Sequence, residues 1–209
     1  MFVLNLVTLE NKKNQRNNFF RLGSSYGGWH ICSSDLNKNT YALSIGAGED
    51  ISFDVELANK FGCKVHIFDP TPRAVQHFQD IKSQFGKKAK ADYLKHGCQD
   101  VNAYDLVNVN SNQISFTPKA VWIKDGFVSF FAPTNENSVS HTITAYNSKK
   151  NQIRESIKVA CVDILNVNIE EYQVLKVDIE GAELPVLQRL IRNKEFDSLF
   201  EERICIYNL

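Results

Sequence analysis

Long apolar runs, closely paired cysteines and an excess of charge of either sign are all missing from this sequence of 209 residues. No stretch approaches the roughly 18 consecutive apolar residues needed to cross a bilayer, so no membrane partner is expected. The opening residues 1–9 are apolar but few, have no basic region before them, and are closed by Glu10 and Lys12. They read as a strand or arm rather than a signal peptide. The five cysteines (Cys32, Cys63, Cys98, Cys161, Cys205) are odd in number, and no two form a C-x-x-C pair. That spacing argues against a zinc site or a disulfide framework and suits reduced thiols in a cytoplasmic protein; no metal is expected. Lys plus Arg number 24 and Asp plus Glu number 24, which argues against a nucleic-acid partner, because neutralising phosphates needs a basic excess. The cluster Lys87, Lys88 and Lys90 reads as a solvated helix end.

What is present is ordinary for a soluble globular chain, with 43% apolar and 23% charged residues. The length fits one domain with a short arm. Residues 11–18 are polar, and residues 19–31 mix aromatics with Gly23, Gly27 and Gly28, a segment that packs through its rings and bends at its glycines. A second polar break at 35–40 divides an arm, 1–40, from an α/β domain, 41–209.

The domain opens on an apolar strand at 41–45, followed by Gly46-Ala47-Gly48 and a helix over 51–61 with Ile51, Val55, Leu57, Ala58 and Phe61 at helical spacing. Gly62 stands where a left-handed residue ends a helix. A strand at 65–68 leads to Asp69-Pro70-Thr71-Pro72, and Pro72 opens a second helix with Val75, Phe78, Ile81 and Phe85 inward and Gly86 as its stop. Strand and helix in alternation predict right-handed crossovers and a parallel sheet. Further on, a third strand is expected at 114–116. Residues 120–123 and 127–131 flank Lys124-Asp125-Gly126 and predict an inserted hairpin. Strands at 157–164 and 172–179, a helix at 180–194 and a last strand at 204–207 complete the series.

A strand, a Gly-Ala-Gly turn and a helix together make a ligand crevice in an open α/β sheet. Asp69, 21 positions after Gly48, has the spacing of an acid that accepts hydrogen bonds from ribose hydroxyls. A helix-capping role is the plainer alternative. The dinucleotide fingerprint wants a small residue where Ile51 stands, and Glu49 and Asp50 at the helix start would repel a pyrophosphate. They suit instead a cationic or zwitterionic group, which favours S-adenosylmethionine over a nicotinamide cofactor.

Leu43-Ser44-Ile45-Gly46-Ala47-Gly48, Phe68-Asp69-Pro70-Thr71-Pro72 and above all Leu175-Lys176-Val177-Asp178-Ile179-Glu180-Gly181-Ala182-Glu183 resemble the FkbM-type methyltransferases. The resemblance runs from about Tyr41 to the C-terminus. It implies a Rossmann-like class I methyltransferase sheet, mostly parallel, and an enzyme that transfers the methyl of S-adenosylmethionine, mostly to hydroxyls of sugars and other natural products. It implies Gly46, Ala47 and Gly48 around the methionine part of the donor, Asp69 at the ribose and Asp178 near the methyl. The family usually carries an acid where Ser44 stands and a glycine where Asp50 stands, and Glu49 and Asp50 are candidates to supply the missing charge at the cofactor. Class I enzymes also continue past the fifth strand, so the sheet is expected to lack its final strands.

Asp178 and Glu180, at the carboxyl end of a parallel strand, are the catalytic candidates. Asp178 orients the acceptor hydroxyl or takes its proton, and capping the next helix is the competing role for both acids. His66, inside a strand, reads as structural. The expected partner is a small-molecule or glycan acceptor. A non-catalytic nucleotide-binding domain and a nicotinamide oxidoreductase are the alternatives.

Overall fold

The computed structural model describes residues 19–32, 36–131, 156–179, 181–193 and 204–206. β1 (Phe19–Leu22) and β2 (Trp29–Cys32) form an antiparallel pair. Its Leu22, Trp29 and Ile31 are buried in the same core as Phe53, Val55 and Leu57 of the first helix. β3 (Tyr41–Ile45) is an apolar run with four of its five residues buried, as a strand covered on both faces requires. It leads through the glycine turn into α1 (Ser52–Phe61), which ends at Gly62 in the left-handed conformation expected there (φ 73°).

β4 (Lys64–Phe68) pairs parallel with β3 and is followed by α2 (Pro72–Ile81), which has Pro at its first turn. The inner face of α2 is Ala74, His77, Phe78 and Ile81. Val75 is half-buried and His77 takes the inward position, because its ring bonds to the buried Tyr104 hydroxyl (2.8 Å). β5 (Ile114–Thr117) pairs parallel with β4.

The expected hairpin does not form. β6 (Ala120–Trp122) and β7 (Gly126–Phe131) flank the Asp125-Gly126 turn, but β8 (Ser156–Asp163) lies between them, parallel to β6 and antiparallel to β7. Gly126 does take the positive φ of a tight turn (121°). Turn chemistry fixes the local backbone only, and β8 supplies Val159 and Cys161 to a small core with Ala120 and Phe130. The insertion is therefore a three-stranded sheet.

β9 (Val174–Val177) returns to the main sheet beside β3, α3 (Glu183–Ile191) follows, and β10 (Ile204–Ile206) pairs with β9. The order β10-β9-β3-β4-β5 is parallel throughout. Alternate residues of a strand face opposite sides. Accordingly Ala42 packs with α1 and α2, whereas Leu43 and Ile45 pack with Val186 and Leu190 of α3. The chain runs outward from β3 in one direction through β4 and β5, and in the other through β9 and β10. The crevice of such a sheet opens at the carboxyl ends of the strands at that reversal.

Asp163, at the end of β8, accepts hydrogen bonds from Arg189 Nη2 (2.8 Å) and Nε (3.3 Å) on α3 and from Leu165 N (3.1 Å). The Arg189 bonds hold its carboxyl below the ordinary aspartate value of 3.8. A group whose pKa is depressed by folding stabilises the fold above its unfolded value, and that contribution is lost as pH falls through the folded value. In urea unfolding, the wild type is expected to lose more of its midpoint between about pH 5 and pH 3 than Asp163→Asn does. Parallel losses would remove the pair from the pH dependence.

Candidate functional site

Gly46 stands where the ends of three strands meet. Its N–H donates to Phe68 O (2.9 Å), while Asp178 N donates to Ile45 O (2.8 Å). Its φ is +86°, and a Cβ there would lie 1.8 Å from Asp178 O, so only glycine fits. Gly48 also has positive φ (56°).

Asp69 ties this turn to the end of β4. One carboxylate oxygen accepts from Ala47 N (3.0 Å) and Gly48 N (2.9 Å), the other from Thr71 N (2.8 Å) and Thr71 Oγ1 (2.6 Å). A carboxylate offers about four lone-pair positions, and the chain's own donors fill them. Three of those donors are backbone N–H groups; the Thr71 hydroxyl is the one that can rotate away.

Asp50 is buried and accepts from Ser24 Oγ (2.6 Å), Gln99 Nε2 (3.0 Å) and Ser52 N (3.0 Å). It docks the β1–β2 turn onto the start of α1. Gly27 leaves it room, since a Cβ there would stand 2.6 Å from the Asp50 carboxyl carbon. Tyr26 and Gly27 of that turn line one side of the cleft, with Gly97 against the Tyr26 ring. Glu49 faces elsewhere: it pairs with Arg73 (2.5 Å) and accepts from Cys98 Sγ (3.4 Å), and it does not line the cleft.

Asp178 lines the cleft, and among the described residues its carboxylate makes no hydrogen bond. Although its tip is open, the surrounding walls desolvate it and lift its pKa above the ordinary range; Glu183 and Asp69 push the same way and Lys176 opposes them. The turn before α3 is held by Glu183, which accepts from Ile179 N (3.1 Å) and Gly181 N (2.8 Å), so α3 starts at Glu183 rather than at 180. Glu180 lies outside the described residues. The far end of the cleft is apolar, formed by Phe68, Ala120, Val121 and Phe130. His66 is held between Tyr172 Oη and Thr117 Oγ1 (2.8 Å each), away from the cleft.

Gly46, Ala47, Gly48, Asp69 and Asp178 thus come together at one crevice, and Glu49 does not join them. A family model described as the methyltransferase FkbM domain matches residues 42–203. The chain belongs to the FkbM methyltransferase family. No curated protein and no solved structure gives a significant match. The crevice of this FkbM methyltransferase also contains Lys176, buried on β9 with its Nζ donating to Gly46 O (2.7 Å). Sequence reasoning passed over it, yet a lysine inside the apolar strand Val174–Val177 is an anomaly, because a parallel sheet covers both faces.

Replacing Asp69 with Asn keeps the shape but turns an amide N–H₂ towards N–H donors. We expect Asp69→Asn to lose about 2–4 kcal/mol of unfolding free energy, as buried donors that lose a charged acceptor typically cost. Urea denaturation checks this, and an unchanged midpoint would mean the tie adds nothing to the fold.

Proposed function

We propose that this methyltransferase uses S-adenosylmethionine as donor and methylates a hydroxyl of a small molecule or glycan in the cytoplasm. The observation that carries the reading is Asp178, a carboxylate with no hydrogen bond among the described residues and a raised pKa, set in the cleft beside the glycine turn. A raised pKa makes a carboxylate the stronger base, which suits removal of a proton from a hydroxyl. The remaining acids of the cleft, Asp50 and Asp69, favour a donor that carries positive charge.

In this reading the glycine turn accommodates the amino-acid end of the donor by close backbone approach, and Asp69 meets the ribose. The Thr71 hydroxyl would turn aside so that the Asp69 oxygen could accept from a ribose hydroxyl. Bound there, the donor supplies an electrophilic methyl on a cationic sulfur. Asp178 would orient the acceptor hydroxyl and take its proton as that oxygen accepts the methyl. The apolar end at Phe68, Val121 and Phe130 excludes water from the neighbourhood. Cys63, Cys98 and Cys161 are free thiols, in keeping with a reducing compartment, and none of the helices described is long and apolar enough to cross a membrane.

Titration calorimetry with S-adenosylhomocysteine and with NADH tests the donor. Binding of the first alone is expected, and binding of NADH alone would favour an oxidoreductase. Once an acceptor is found, Asp178→Asn is expected to lower the transfer rate by about 10²–10⁴-fold while changing S-adenosylhomocysteine affinity by less than about tenfold. A rate within a few-fold of wild type would remove Asp178 from the chemistry.

A further inference from the structure

Beneath the glycine turn three polar side chains occupy positions that packing alone would fill with apolar ones. Ser44 on β3 and Lys176 on β9 are partners across the two strands, and Asp54 comes from the buried face of α1. Their exposures are 1%, 3% and 0%. Among the described residues neither oxygen of Asp54 reaches a hydrogen-bond partner. Lys176 and Ser44 only partly offset its burial, which raises its pKa.

An ammonium has three N–H groups. One of those on Lys176 goes to Gly46 O, and the Trp29 ring lies 5.5 Å from Nζ. No further acceptor meets Lys176 among the described residues. Lys176 also lines the cleft, where among the described residues it is the only cationic side chain, beside the acids Asp50, Asp69 and Asp178. The amino-acid end of a methyl donor is a zwitterion. Its ammonium finds an unbonded acid in Asp178, whereas its carboxylate has one complementary group, Lys176.

We propose that Lys176 receives the carboxylate of the donor's amino-acid end, with Gly46 O fixing its ammonium in place. This rests on the S-adenosylmethionine reading above. Lys176 is thereby a donor-binding residue. Gly46 O gives the ammonium a direction, and Asp54 lies in the core, where it cannot itself reach the ligand.

A merely structural lysine, holding the glycine turn and nothing else, would affect every ligand of the cleft alike. Calorimetry on the full chain can separate the two roles by comparing S-adenosylhomocysteine with its decarboxylated analogue, which keeps the adenosine, the thioether and the amine. In the wild type the carboxylate-bearing ligand is expected to bind about tenfold or more tightly, the size of a charge-assisted hydrogen bond. In Lys176→Met that preference disappears, and in Lys176→Arg it is retained. If the Met variant fails to fold, Lys176→Gln is the second route to the same loss. Equal affinity of the wild type for the two ligands would overturn the proposal while leaving the donor reading intact, as would a preference that survives in a folded Met or Gln variant. Failure of both ligands to bind the wild type would overturn the donor reading itself.

Discussion

The Asp69 carboxylate is the constraint on which the site depends. By accepting from Ala47 N, Gly48 N and both donors of Thr71, it locks the turn after β3 to the end of β4. With that tie in place Gly46 passes so close to Asp178 that no side chain fits between them. The ends of β3, β4 and β9 then form one rigid edge rather than three separate loops, and a crevice with fixed walls follows. Charge-assisted bonds to backbone N–H groups suit this purpose, being short and about twice as strong as neutral ones.

A second layer of polar groups supports that edge from beneath. Asp50 and Asp54 sit four residues apart, and both are buried, yet they serve different ends. Asp50 is saturated by Ser24, Ser52 and Gln99 and anchors the β1–β2 turn as one wall of the cleft. Asp54 has no hydrogen-bond partner among the described residues. Burying an unpaired carboxylate is costly, so a helix that needed only to pack would carry an apolar residue there. Placing Lys176 on the α1 face of β9 has the same logic, since its ammonium reaches the glycine turn from below.

Much of this architecture was legible in the sequence because it is local. Gly62 and Pro72 bound the helices where helix-end chemistry places them, and the apolar run at 41–45 declares a covered strand. Asp69, 21 positions after Gly48, stands against the glycine turn and accepts from its backbone. What was not legible depends on partners distant in the chain. Asp125-Gly126 makes its turn, but the pairing of the flanking strands was decided by β8, more than twenty-five residues away. Glu49 and Asp50 read alike as acids at a helix start. Arg73 draws one out of the cleft, and Ser24 with Gln99 draws the other into the core. Asp54 and Lys176 interrupt apolar patterns in α1 and β9, a signal passed over in the sequence, and they mark the groups for which the structure has no purely packing explanation.

The most direct measurement is a crystal structure of the chain with S-adenosylhomocysteine. The account predicts the ribose against the Asp69 tie, the amino-acid end along Gly46–Gly48 and the thioether sulfur beside Asp178, with the glycine turn unmoved. Ligand bound elsewhere on the molecule, or an empty crevice at saturating ligand, would contradict it.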